Sequence, residues 1–274
     1  MWLAGKRLRA ALVGEQLLRG ELRHPELSTV DLAGRTVTAV ASVGKHLLTR
    51  FDDGTSLHTH FLMDGSWHLY SPGARWQAPD HQVRAVLATR AKVAVGFRLH
   101  QMALLPTAEE PRLLAHLGPD LLDEQWDAAM EADAVHRLTA DPQRELGRAL
   151  LDQRVLAGVG NLYKTEVCFL LGVTPWAPVT SVDPVQCVQL CRKLLLVNVS
   201  HPPQSTTGVL GRGREQWVFE RTGLPCRRCR TSVRSAMQGA DAHQRICYVC
   251  TGCQSGPHPA LSDARIRPAR PAPA

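Results

Sequence analysis

No stretch of this 274-residue chain approaches the roughly 20 consecutive apolar residues needed to span a bilayer, which excludes a helical membrane protein. A signal-peptide apolar region with a cleavage site is also lacking, so the reading is a cytoplasmic chain. There is no internal repeat. Before Glu15 there is no acidic residue, a bias that mimics a transit peptide. Against that, Ala4, Leu8, Ala11 and Leu12 recur at helical spacing, as one face of a core helix does. Between Ser205 and Gln254 lysine is missing altogether, while eight arginines face three acids, Glu215, Glu220 and Asp241. That block alone carries 8 − 3 = +5 of a total net charge of +7, which points to a polyanionic partner. With 44% hydrophobic and 21% charged residues, the composition is that of a globular protein long enough for more than one core.

The texture changes along the chain. From Arg35 to Leu105, short apolar runs alternate with turn signals: Thr36–Ser42, His46–Phe51, the turn Asp52-Asp53-Gly54, Thr55–Phe61, Val83–Leu87 and Lys92–Phe97. Their β-branched content and hairpin spacing predict an all-β sandwich with one leading helix. From Glu109 the pattern turns helical. Asp141-Pro142 predicts a helix over 142–153, a second starts near Asn161, and 184–198 reads as a third. The expected architecture is α+β and multidomain, with boundaries at 1–108 (helix plus sandwich), 109–210 (helical domain), 211–254 (cysteine module) and 255–274. The last segment holds five prolines and is expected to be a disordered tail.

Eight cysteines in a cytoplasmic chain indicate reduced thiols or metal rather than disulfides. Cys226-x2-Cys229 and Cys250-x2-Cys253 form two hooks whose four thiolates suit one tetrahedral, structural zinc ion. Such a closed site activates no water, and a module this short and this poor in apolar residues depends on the metal to fold. Cys247 lies near enough in sequence to compete, but the matched spacing favours Cys250 and Cys253. Cys187 and Cys191 stand at i, i+4 and read as small buried residues rather than a metal pair, as does Cys168. His58 and His60 alternate on a strand; with no third ligand beside them in sequence, packing is the expectation.

Several separated stretches together resemble the formamidopyrimidine-DNA glycosylase / endonuclease VIII family, and its bacterial endonuclease VIII-like branch in particular. They are Gly44-Lys45-His46, the run from Leu57 through Met63 to Trp67, His116-Leu-Gly-Pro-Asp120, the run from Leu151 through Gly158-Val-Gly160-Asn161 to Tyr163, and the cysteine module with Arg245. The resemblance implies a helix-two-turn-helix in the second domain and a zinc finger in the third. It implies base-excision repair: a monomer binds double-stranded DNA containing damaged bases or abasic sites in a cleft between domains. It flips out an oxidised base (a pyrimidine by branch similarity), cleaves the glycosidic bond and nicks the strand by β,δ-elimination. The expected location is the bacterial nucleoid.

The resemblance also implies residue roles. Gly158, Gly160 and Asn161 aim backbone N–H groups and a helix start at a phosphate; an ordinary helical hairpin with Asn161 as N-cap is the alternative. Arg245 matches the zinc-finger arginine that grips phosphates flanking the lesion. Lys45 matches a lysine near the lesion phosphate that supports the chemistry. Met63 matches the side chain that fills the gap left by an everted base. Glu166 and Asp152 are expected to orient or cap helical elements.

Family members begin Met-Pro-Glu-Gly, and the proline amine attacks the deoxyribose C1′ while the glutamate handles protons. This sequence begins Met1-Trp2-Leu3, with neither the proline nor the glutamate. Its spacing places Met1 at the family's seventh residue, a valine, whose GTG codon also serves as a start. The expectation is a true start six codons upstream. The competing expectation is a shortened, non-catalytic zinc-finger protein that binds damaged DNA without cutting it.

Overall fold

The computed structural model describes residues 1–62, 64–200, 203–240 and 244–264. The chain divides into two compact units, Met1–His116 and Leu117–Ala274.

In the first unit, helix α1 (Trp2–Leu12) buries Gly5, Leu8 and Leu12, the stripe its spacing predicts. Eight strands follow: β1 (Arg19–Leu22), β2 (Val37–Val43), β3 (His46–Phe51), β4 (Thr55–His60), β5 (Ser66–Tyr70), β6 (Val83–Ala88), β7 (Val93–Phe97) and β8 (Gln101–Pro106). They form two four-stranded sheets ordered β1-β6-β7-β5 and β2-β3-β4-β8, with antiparallel pairing throughout. Leu8, Leu12, Leu47, Leu57, Leu87 and Leu99 share one core, the inward half of the alternation expected for such strands. Strand β1 escapes a sequence reading because only Gly20 and Leu22 of its four residues are buried. Helix α2 (Glu110–Leu114) closes the unit. Its Glu110, almost fully buried, is neutralised by a bidentate bond to Arg50, with Nε 3.0 Å and Nη2 2.6 Å from its carboxylate oxygens.

The second unit contains helices α3 (Ala128–Thr139), α4 (Leu146–Leu151), α5 (Asn161–Leu170) and α6 (Pro184–Asn198), then the hairpin β9 (Arg234–Gln238) and β10 (Arg245–Val249). Helix α6 spans the 184–198 segment expected to be helical, and the Asp183 carboxylate caps it by accepting from the N–H groups of Val185 and Gln186. The other Asp-Pro pair, at 141–142, starts no helix. Residues 141–144 make a turn closed by Arg144 N–H on the Asp141 carbonyl. The N–H groups of Leu146 and Gly147 are taken by the carbonyls of Ala177 and Pro175, so α4 begins four residues later than expected.

Helix α5 is buried continuously from Tyr163 to Phe169. One side of it packs among α4 and α6 through Val167 and Cys168, and Phe169 enters the core of the cysteine module with Val218, Val233 and Ile246. Residues 255–264, expected as part of a disordered tail, instead dock on this unit. Thr174 N–H bonds the Ser255 carbonyl at 2.9 Å, and Ser262 exchanges both backbone bonds with Ser235 at 2.8 and 3.0 Å. The rest of that tail lies outside the described residues. Among the described residues no helix is long and apolar enough to cross a membrane.

Candidate nucleic-acid interface and metal centre

The connection between α4 and α5 is held by its own polar side chains. Gln153 accepts from Gly158 N–H at 3.0 Å through Oε1 and donates from Nε2 to the carbonyls of Leu151 and Val159. Asp152 accepts from the guanidinium groups of Arg154 and Arg144, which holds its carboxyl well below the usual carboxylate range. Gly158 sits at φ +105°, a conformation that a side chain resists, so glycine is required there. Residues 118–120 of the second unit bond this turn. Gly118 N–H bonds the Gln153 carbonyl at 2.8 Å, and a Cβ at Gly118 would stand 2.5 Å from the Val155 carbonyl oxygen. Gly160 is the N-cap of α5 and Asn161 its first helical residue, so Asn161 is not the cap. The turn ends by presenting the start of α5, whose first N–H groups have no partners within the helix.

The Asn161 side chain is committed elsewhere. Its Nδ2 donates to the Ile246 carbonyl at 2.9 Å, tying the first turn of α5 to β10. Arg245, the preceding residue, is exposed at the head of that strand. Glu166 makes the second tie. Its buried carboxylate accepts from the N–H groups of Trp217 (2.8 Å), Val218 (2.9 Å) and Phe219 (2.9 Å), and from the Thr206 hydroxyl. Glu166 therefore caps the entry to the cysteine module, as Asp152 orients the turn. Arg228 lies 4.7 Å from the Phe169 ring centre, a cation–π contact across the same seam.

The four sulfurs of Cys226, Cys229, Cys250 and Cys253 lie within 4.8 Å of one another. Cys226 Sγ is 3.9 Å from Cys253 Sγ, against about 3.8 Å for the tetrahedral edge that zinc–thiolate bonds imply. The donor set and its spacing fit a metal ion with no open position. Cys247 does not belong to it: its Sγ contacts Lys164 and Gln238 instead. Cys168, Cys187 and Cys191 are core residues of the helical cluster, and burial pushes the Cys168 thiol up.

In the first unit, Lys45 occupies the β2–β3 turn beside a group that sequence reasoning missed. His46 and His60 are register partners, and His46 Nδ1 lies 2.9 Å from His58 Nε2. His116 closes on the His46 ring at 5.7 Å between centroids. Packing holds His58, as expected, but a third histidine does stand beside the pair, because His46 contacts both His58 and His60. His46 and His58 are both pushed down to about 4, first by burial and then by neighbouring histidines, with Lys45 also bearing on His46. His60 is lowered by burial, by Lys45 and by the Met1 amine. The signal in sequence was present in Gly44-Lys45-His46, but only strand register reveals that three rings share a face. Met63 lies outside the described residues.

Residues 1–118 match the family model for the formamidopyrimidine-DNA glycosylase N-terminal domain, and residues 117–199 that for the formamidopyrimidine-DNA glycosylase H2TH domain. The probable endonuclease 8 2 of Streptomyces coelicolor is 49% identical over 263 residues, covering 94% of each chain. The chain belongs to the formamidopyrimidine-DNA glycosylase / endonuclease VIII family. It falls on the endonuclease VIII-like side. The DNA-(apurinic or apyrimidinic site) lyase Nei2 of Mycolicibacterium smegmatis is 43% identical, covering 90% of this chain and 94% of that protein. In fold it is similar to Lactococcus lactis formamidopyrimidine-DNA glycosylase, solved with DNA containing an abasic site. The TM-score is 0.72 at 19% identity, over 92% of this chain and 96% of that one. A β-sandwich, an H2TH domain and a four-cysteine hairpin are thus the family's fold in this chain.

Proposed function

We propose that this protein is a DNA glycosylase and abasic-site lyase of base-excision repair. It excises oxidised bases, pyrimidines in particular, from double-stranded DNA and nicks the strand by β,δ-elimination. The observation that carries the reading is the bond from Asn161 to the Ile246 carbonyl. It fixes the start of α5 and the strand bearing Arg245 in one surface, so that two cationic or donor-rich elements meet one phosphate backbone. The backbone N–H groups around Gly158, Gly160 and Asn161 supply one set of phosphate contacts and the Arg245 guanidinium another. Because the Asn161 amide is spent on Ile246, that residue serves phosphate through its main chain.

One structural zinc ion, held by Cys226, Cys229, Cys250 and Cys253, keeps the hairpin folded and supplies no chemistry to the DNA. Lys45, with His60 beside it, brings positive charge to the start of α1 and supports the reaction there. Met63 fills the stack when the damaged base is everted. The protein acts as a monomer on the nucleoid.

The test is a labelled duplex carrying an abasic site, thymine glycol or 8-oxoguanine. It is offered to zinc-loaded protein in which Met-Pro-Glu-Gly-Asp-Thr-Val replaces Met1, with the chain beginning at Met1 in parallel. The reading expects the extended protein to cut the abasic duplex, leave phosphate on both ends and be trapped on it by borohydride. The chain beginning Met1-Trp2, without the proline and glutamate, is expected neither to cut nor to be trapped. Retention of the duplex with neither cutting nor trapping by the extended protein contradicts the enzymatic reading and leaves a damaged-DNA binding protein.

A further inference from the structure

Helix α5 carries a charged group that the phosphate surface does not use. Lys164 is 0% exposed, and its Nζ lies 2.7 Å from Cys247 Sγ and 3.4 Å from Gln238 Oε1. Cys247 is also 0% exposed, its Sγ 3.2 Å from the same Gln238 oxygen. Gln238 is fixed from its other end, donating to Glu145 at 3.0 Å and to the Pro175 carbonyl at 2.8 Å. Among the described residues no carboxylate forms a salt bridge with Lys164. Burial, the larger effect, pushes the Cys247 thiol above its ordinary value, and the adjacent Lys164 pulls it partway back.

The pair bridges two elements, with Lys164 one turn beyond Asn161 on α5 and Cys247 two residues beyond Arg245 on β10. The sulfur is held against a nucleophilic nitrogen and away from bulk water, whereas a second thiol is the usual partner of an oxidised cysteine.

We propose that Lys164 and Cys247 are a modification site at which peroxide drives formation of a covalent sulfur–nitrogen link between α5 and β10. Peroxide transfers one oxygen to the Cys247 sulfur, giving a sulfenic acid and releasing one water. The Lys164 amine then attacks that sulfur. The S–N bond forms, the S–O bond breaks, and the hydroxyl leaves as a second water carrying a proton from nitrogen. The sulfur is oxidised by two electrons and the peroxide is reduced by two. Two equivalents of a small thiol reverse the link, regenerating amine and thiol and leaving a disulfide of the reductant. Adjacency of the amine diverts the sulfenic acid from the irreversible sulfinic and sulfonic acids.

On the reading proposed above, the link also locks the two phosphate-contacting elements together when oxidants damage bases. The chemical claim stands or falls independently of DNA binding. The experiment is peptide mapping by mass spectrometry of the full, zinc-loaded chain after exposure to a few equivalents of hydrogen peroxide, digested without reductant. The expected product is one joined pair of peptides bearing Lys164 and Cys247, lighter than their sum by two hydrogens. It should disappear on treatment with dithiothreitol and be absent from Lys164→Met and Cys247→Ser. The wild-type map decides the matter even where those variants fold poorly. Cys247 recovered as sulfinic or sulfonic acid with Lys164 unlinked overturns the proposal. So does a Cys247–Cys168 disulfide, or Cys247 left unmodified once the four-cysteine cluster has been oxidised.

Discussion

Asn161 Nδ2 stands 2.9 Å from the carbonyl oxygen of Ile246, 85 residues away in sequence. The bond joins a helix start to a strand whose first residue, Arg245, is exposed, and it replaces the capping role that the sequence alone allowed Asn161. Replacing the amide therefore acts on both elements. Asn161→Ala removes one partly buried hydrogen bond, a loss of about 1–2 kcal/mol including the unpaired carbonyl. It also weakens abasic-duplex binding although no phosphate contact by the side chain is lost. Binding isotherms together with thermal melts check this; unchanged affinity and unchanged melting contradict it.

Glu166 accepts three backbone N–H groups and a hydroxyl in a buried setting. Glu166→Ala orphans three donors at once, and the expected loss is at least about 3 kcal/mol. Glu166→Gln keeps one acceptor oxygen and loses less. Urea unfolding of the two variants tests the order, and an alanine variant as stable as wild type contradicts it.

The histidine group predicts a pH dependence of stability. His46 and His58 titrate near 4 when folded against 6.5 when unfolded. Between those values the unfolded chain binds more protons, so stability is present in full above pH 6.5 and falls as pH is lowered toward 4. Protonating both rings would set two N–H groups against each other across the 2.9 Å contact, with the Lys45 ammonium adding like charge beside His46. Melting temperature should drop across this window, and His58→Gln should flatten the drop. A wild-type melting temperature that holds steady from pH 7 to pH 4.5 contradicts the assignment.

Removing metal from the four-cysteine cluster should unfold the β9–β10 hairpin and expose Phe169, while the first unit stays folded. Chelation followed by tryptophan fluorescence reads this, because Trp217 stacks on Phe169 at 5.6 Å between ring centres. Spectra identical with and without chelator contradict a structural metal.

Much of this was legible in the chain itself. Strand β3 and helix α6 appear over the residues at which the sequence places them, and the clustering of Cys226, Cys229, Cys250 and Cys253 follows from their spacing. What escaped depends on partners distant in sequence. The helix expected over 142–153 is shortened to α4 because Leu146 and Gly147 bond the 175–177 segment, a tertiary claim on N–H groups that no local pattern encodes. Nothing local marks Lys164 as buried, yet it is fully buried because α5 is covered from Tyr163 to Phe169, whereas Glu166, expected to orient or cap a helical element, caps the entry to the cysteine module. Cys247 reads as a spare zinc ligand until β9–β10 register turns it toward Lys164.

The central claim is that the α5 start and the four-cysteine hairpin grip one DNA backbone together. Its most direct test is the salt dependence of binding to an abasic-site duplex by zinc-loaded wild type and Arg245→Ala. The account predicts weaker binding by the variant, with the slope of log K against log salt shallower by about one. Equal affinity and equal slope in the two proteins would contradict it.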